Sequence, residues 1–298
     1  MSLTNFWAYL RERFPVVNMA LFAILFGTVF TVAGRVGGQP LGLGWGEIVG
    51  MAATISFFFR LRVFDEIKDF ASDAVLHPGR VLQSGRVTLA PLRALAWAGA
   101  LLEVGWSASR GLPAVLGWAA LLGYSLLMRY EFGAPAWLRA RLLLYAFTHM
   151  LIMPLVIGWL WLAYAPAGRF GAEGGSLLAL LSLLGGFAFE LARKIRTPAA
   201  ERAGVDSYSR SLGYGGAVAA VLAVLLAGAG VQAQLLARLG AGWGAFGLLA
   251  ALLLTTVAAY GTALARPREA LVRAAEKLVS LALLTSYVGV IVSGQQVL

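Results

Sequence analysis

Four carboxylates fall within nine residues of this chain: Asp65, Glu66, Asp69 and Asp73. They belong to the stretch LRVFDEIKDFASDAVLHPGRVLQSGRVTL, Leu61 to Leu89, where Lys68, Arg80 and Arg86 supply positive charge. If the preceding helix runs on through Asp73, Asp65 and Asp69 are one turn apart, as are Asp69 and Asp73. Glu66 then lies three residues before Asp69, so all four share one face or its edge. Like charges at this spacing repel one another, and a bound cation offsets that cost. Oxygen donors, with no cysteine in the chain and no local histidine cluster, favour Mg²⁺ over zinc. Mg²⁺ takes one or two carboxylates and fills its shell with waters and substrate phosphates, so beside a basic loop it marks a diphosphate site. Pro78, Gly79 and Gly85 bend that loop back over the helix end. The plainer alternative is a solvated helix end at a bilayer surface, with Lys68 paired to its neighbours.

The elements that must carry this cluster are membrane helices. The chain is 60% hydrophobic and 13% charged over 298 residues, against about 25% charged in a soluble domain. We expect an all-α membrane protein, a bundle of about nine transmembrane helices. The spans fall at about 15–34, 43–63, 91–109, 112–128, 142–164, 174–192, 212–231, 242–264 and 274–294. Residues 1–14 place Leu3, Phe6, Leu10 and Phe14 at helical spacing beside Arg11 and Arg13, which reads as an interfacial helix. No small-residue cleavage site follows, so no signal peptide is expected. The expected organisation is one polytopic membrane domain, 1–298, with cap loops at 60–90 and 193–212.

Charge orients the bundle. With the N-terminus in the cytoplasm, segments 1–14, 60–93, 129–141, 193–210 and 265–277 hold 20 of the 24 Lys and Arg. Arg35, Arg110, Arg169 and Arg238 remain outside. This bias follows the positive-inside rule and predicts a multi-pass protein of a bacterial-type inner membrane. It also accounts for the net charge of +10 without a nucleic-acid partner. The acidic cluster and a second charged stretch, FELARKIRTPAAERAGVDSYSRSLG (189–213), fall on the same cytoplasmic face. Taken alone, 193–210 reads as a basic loop. Within the spans, Glu103 and His149 are expected either to line a cavity on the acceptor side, one of them acting as base, or to bond helix to helix.

The first cluster resembles that of the UbiA-type intramembrane prenyltransferases, which have nine helices and the motif N-D-x-x-D-x-x-x-D after the second. This chain reads D-E-x-x-D-x-x-x-D, with Asp65 at the Asn position and Glu66 at the first Asp. Residues 77–85, HPGRVLQSG, are similar to the family's R-P-x-R-P-x-x-S-G: Pro78, Arg80, Ser84 and Gly85 are kept, while His77 and Val81 replace Arg and Pro. In the second stretch, Glu201, followed by Arg202 and Gly204, resembles the last acid of the family's D-x-x-x-D pair. Thr197 stands where the first acid is usual, leaving Glu190 and Asp206 as the other acids available.

The resemblance implies a central cavity opening to the cytoplasmic face and laterally to lipid. It implies Mg²⁺ on Asp65, Glu66, Asp69 and Asp73, and a second ion on Glu190 and Glu201. Lys68, Arg80, Arg193 and Lys194 would grip the diphosphate, and the catalytic acids would be Asp65, Asp69, Asp73 and Glu201. The loop holding Tyr124, Arg129, Tyr130 and Glu131 would help cover the site. The implied reaction is transfer of a prenyl group from a polyprenyl diphosphate to a lipidic or aromatic acceptor in the membrane, with no obligate protein partner. Two alternatives stand beside it: a terpene cyclase of the same type, and a transporter or lipid-binding protein with a cytoplasmic cation site. The transporter would show acids in mid-span and broken helices in paired positions.

Overall fold

The computed structural model describes residues 1–202 and 205–295. Fourteen helices are present among them. In chain order they are α1 (Leu3–Arg13), α2 (Val16–Val36), α3 (Trp45–Lys68), α4 (Phe70–Leu76), α5 (Leu89–Arg110), α6 (Leu112–Arg129) and α7 (Pro135–Arg139). There follow α8 (Leu142–Met150), α9 (Ile152–Leu162), α10 (Gly175–Arg193), α11 (Tyr208–Leu212), α12 (Tyr214–Arg238), α13 (Trp243–Ala265) and α14 (Glu269–Gln295).

Seven segments are long and apolar enough to cross a membrane: α2, α6, the α8–α9 rod, α10, α12, α13 and α14. The chain is therefore read as a multi-pass integral membrane protein. Helices α3 and α5, at 24 and 22 residues, match these in length but are more polar. The reason lies inside the bundle. Arg60 on α3 and Glu103 on α5 are fully buried and face each other at 2.7 Å. Arg60 also donates to the Ser125 hydroxyl on α6 at 3.0 Å, and the Trp118 indole N–H donates to Glu103 at 3.0 Å. Three helices are thus joined by one closed polar network, as burial of charge requires. Glu103 serves as a helix-to-helix bond. Arg60 drops out of the cytoplasmic loop charge in which the sequence reading counted it.

The rod spanning 142–162 is interrupted at Leu151. Pro154 has no N–H to donate, and its ring crowds the carbonyl four residues earlier, at Met150, where α8 ends. Packing is close at Gly50 of α3, where any side chain would collide with the rings of Phe26 and Trp106. Around that contact Phe26, Phe57, Trp106, Trp159 and Tyr164 form the main apolar core. A second core joins α8, α10, α11, α12 and α14 through Ala146, Leu191, Tyr208, Val218 and Val272. A third seats Tyr9 of α1 on Val63, Val81, Leu82 and Leu92, so α1 packs beneath the cap loop.

Candidate active site

Helix α3 delivers the acidic motif, but not as one unbroken helix through Asp73. It ends at Lys68. Asp69, with ψ near 5°, is the joint at which α4 begins. The amide bonds Asp69 N–H to Asp65 C=O and Asp73 N–H to Asp69 C=O, both 2.8 Å, carry the chain across the joint. The loop after α4 returns through Gly85 at φ +77°, a left-handed position that glycine occupies without cost.

Most of the acids face cations. Glu66 is buried and accepts from Arg13 of α1 at 2.6 Å and from Arg62, one turn back, at 3.0 Å. Its other oxygen, Oε2, is buried with no hydrogen-bond partner among the described residues. Asp73 pairs with Arg80 and stands 3.8 Å from Arg13. Asp65 lies 3.4 Å from Lys68 and 3.9 Å from Arg62. Asp69, by contrast, makes no ion pair among the described residues. Burial pushes its carboxyl above the ordinary range; Lys68 opposes this, while the charges of Asp65 and Asp73 add to it.

Lys68 connects this cluster to the rest of the bundle. Its ammonium donates to the Tyr145 hydroxyl on α8 at 2.9 Å and lies 3.7 Å from Glu131. Glu131 is also gripped by Arg139 at 3.0 Å. Glu131 and Phe132 take left-handed φ values of 48° and 54°, which costs about 1–2 kcal/mol for each such residue. The ion pairs of Glu131 hold that strained turn beside the acidic cluster. The Tyr145 ring stacks on His149 at 3.9 Å. His149 Nδ1 donates to the Tyr145 carbonyl at 2.8 Å, which leaves Nε2 as a buried acceptor with no partner.

The second stretch packs on α8 through α10 and α11. Buried Glu190 pairs with Arg193 and, at 2.9 Å, with Lys194. The Tyr208 ring lies 6.0 Å from the Lys194 ammonium and shares a core with Ala146 of α8. Burial pushes the Tyr208 hydroxyl up, and the charge of Glu190 adds to that. Glu201 accepts from the Ser207 hydroxyl at 2.7 and 2.8 Å. Thr197 is buried and donates through its amide and hydroxyl to Glu269 of α14, at 3.2 and 3.3 Å. Gly204 lies outside the described residues.

The structure thus brings Asp65, Lys68, Tyr145 and Glu131 together directly, and links Glu190 and Lys194 to them through α8 and Tyr208. Arg13, Arg62, Arg139 and Tyr145 join the site although no motif marks them, and Glu131 belongs to the loop expected to cover it. Only Arg62, one turn from Glu66, carried a local signal. Among the described residues no three His, Asp or Glu converge on a ready-made metal position. Mg²⁺ does not need one, since one or two carboxylates plus phosphate oxygens suffice. The free Asp69 carboxylate, the unpartnered Glu66 Oε2 and the all-oxygen donor set fit that ion.

An apolar groove lies deeper, between α10, α12, α13 and α14. It is lined by residues such as Leu184, Val224, Leu252 and Leu283, with Gln232 and Ser286 as polar points. None of the cap acids lines it.

By sequence, no protein family matches the chain and no curated protein does. Solved structures match by shape. Digeranylgeranylglyceryl phosphate synthase superposes over 99% of this chain and 100% of its own, with a TM-score of 0.67 at 15% identity. A UbiA homolog from Aeropyrum pernix K1, in its apo form, superposes over 91% of this chain and 96% of its own, with a TM-score of 0.69 at 21% identity. The all-helical membrane fold expected from the sequence is therefore met, with seven candidate spans among the described residues: the chain carries the UbiA-type membrane fold.

Proposed function

We propose that the chain transfers a prenyl group from a polyprenyl diphosphate to a lipidic or aromatic acceptor within the membrane. The observation that carries this reading is Asp69: a half-buried carboxylate with no ion pair among the described residues, flanked by Asp65 and Asp73, beside a lysine that reaches across to α8. A motif serving only as a solvated helix end gains nothing by leaving one acid buried and uncompensated.

In this reading Asp65, Asp69 and Asp73, with Glu66 behind them, hold one Mg²⁺, and Glu190 with Glu201 holds a second. Bound magnesium supplies a Lewis acid for the charge that grows on the leaving diphosphate. Lys68, Arg80, Arg193 and Lys194 grip the diphosphate oxygens, and Arg139 stands within reach of the same anion. These cations are fixed by protein contacts before substrate arrives, so they stabilise the leaving group without reorganising. The apolar bundle takes the prenyl chain and keeps water from the allylic carbon. The whole chain acts as one polytopic membrane domain, with the N-terminus and cap on the cytoplasmic side.

Pyrophosphate release from farnesyl and geranylgeranyl diphosphate, in detergent with and without Mg²⁺, tests the reading. Mg²⁺-dependent release supports it. Absence of release at every chain length and with every added acceptor points instead to the transport or lipid-binding class.

A further inference from the structure

Helices α2 and α12 and the α8–α9 rod all begin at the cap and run away from it. A 21-residue helix is about 31 Å long, so their far ends lie on the opposite face of the bundle. Arg35 ends α2, Arg238 ends α12, and Arg169 follows α9. These are three of the four cations that the sequence leaves on that face. All three line one cavity of about 760 Å³. The fourth, Arg110, pairs elsewhere with Glu47 at 2.8 Å.

The three arginines are only partly used. Arg35 donates to the Gly294 carbonyl at 2.9 Å, Arg169 to Val36 at 3.0 Å and Arg238 to Ala172 at 3.0 Å. A guanidinium has five N–H donors, and each of these makes one bond among the described residues. None makes an ion pair there. Among the described residues one carboxylate, Glu173, lines the cavity, and it makes no ion pair there either. The carbonyl bonds fix the guanidiniums in place and leave donors for a further acceptor. The remaining wall includes Val32 and Leu235, which are apolar.

Three anchored guanidiniums against one carboxylate, over an apolar wall at a membrane surface, match a phosphate ester that carries a hydrocarbon tail. Planar guanidinium forks bind phosphate oxygens in pairs. We propose that this cavity binds the phosphate of an anionic amphiphile, on the face opposite the acidic cap and apart from the prenyl-diphosphate site. The ligand chemistry is a phosphomonoester or phosphodiester, supplied either by a bilayer lipid headgroup or by a soluble glycerol phosphate.

Native mass spectrometry of the full-length protein in detergent distinguishes these. Phosphatidylglycerol and phosphatidylcholine are offered in separate titrations, then glycerol phosphate as a competitor. The expected result is at least tenfold greater retention of phosphatidylglycerol, falling to the phosphatidylcholine level in the double variant Arg169→Gln/Arg238→Gln. The cap cations are untouched in that variant, so binding there cannot mimic the loss. The charge-keeping variant Arg169→Lys/Arg238→Lys should fall between the two. Displacement by glycerol phosphate assigns the site to a soluble phosphate; resistance to it assigns the site to a lipid headgroup. Equal retention of the two lipids by the wild type overturns the proposal. So does undiminished phosphatidylglycerol binding in the Gln variant when its helical circular dichroism is native.

Discussion

The Lys68 ammonium and the Tyr145 hydroxyl meet at 2.9 Å, joining the end of α3 to α8. This bond holds the acidic cluster against the helix that also packs on Tyr208 and the second charged stretch. Lys68 is at once a partner of Asp65 and a neighbour of Glu131, and in the proposed function it is a cation for diphosphate. Its position is therefore set before any ligand arrives.

Replacing Tyr145 by Phe removes the hydroxyl and keeps the ring on His149. A hydrogen bond to a charged group contributes about 1.5–3 kcal/mol. Lys68 gains freedom and swings toward Asp65 or Glu131. Turnover should drop about tenfold or more, with the circular dichroism spectrum unchanged and the melting temperature lowered by a few degrees. A rate equal to wild type would show that Lys68 is not positioned through Tyr145.

The Arg60–Glu103 pair should matter for stability and not for chemistry. Removing one partner leaves a buried, uncompensated charge and costs about 3–5 kcal/mol. Arg60→Leu or Glu103→Leu should each lower the melting temperature in detergent sharply. The double variant should recover most of the loss, since an apolar replacement of a whole buried pair is often neutral. Losses that simply add would contradict the closed network seen between α3, α5 and α6.

Asp69 sets a pH dependence with a definite sign. Its carboxyl is raised by burial, so the folded protein holds that proton above the unfolded value. In the window between the two, stability falls as pH rises, because the folded state binds more protons than the unfolded one. Mg²⁺ affinity moves the other way. The metal needs the carboxylate, so affinity should climb through the raised value and then level off. A Mg²⁺ titration across pH 4–8 should show this climb in the wild type and lose it in Asp69→Asn.

Arg13 joins α1 to the motif through Glu66 and Asp73. In Arg13→Ala the buried Glu66 keeps only Arg62. Charge-assisted bonds of this kind contribute about 1.5–3 kcal/mol, so the variant should melt lower. Its N-terminal helix should also become open to limited proteolysis near Arg11. Unchanged protease resistance would mean that the apolar seat of Tyr9 holds α1 by itself.

The long apolar runs made the helices readable. Span 174–192 is observed as Gly175–Arg193 and span 112–128 as Leu112–Arg129, because each run is bounded by charge or glycine. The charges are where sequence reasoning misplaces things. Arg60 reads as the first cation of a basic loop, and its partner Glu103 is 43 residues away. Only the pairing of α3 with α5 shows that it is buried. The break at Asp69 is invisible too, since the spacing of Asp65, Asp69 and Asp73 suits an unbroken helix. Tyr145 carries no motif at all, and Glu131 is legible only as part of a covering loop. They enter the site because α8 and the left-handed turn at 131–132 are folded over the end of α3.

The central claim is that Asp69 and its neighbours hold Mg²⁺ for a prenyl diphosphate. Calorimetric binding of a non-hydrolysable farnesyl thiodiphosphate to the full-length protein, with and without Mg²⁺, tests it most directly. The account predicts tight binding only with Mg²⁺, weakened at least tenfold in Asp69→Asn and in Asp73→Asn, each variant keeping its native circular dichroism. Equal binding with and without Mg²⁺, or by both variants and the wild type alike, would contradict it.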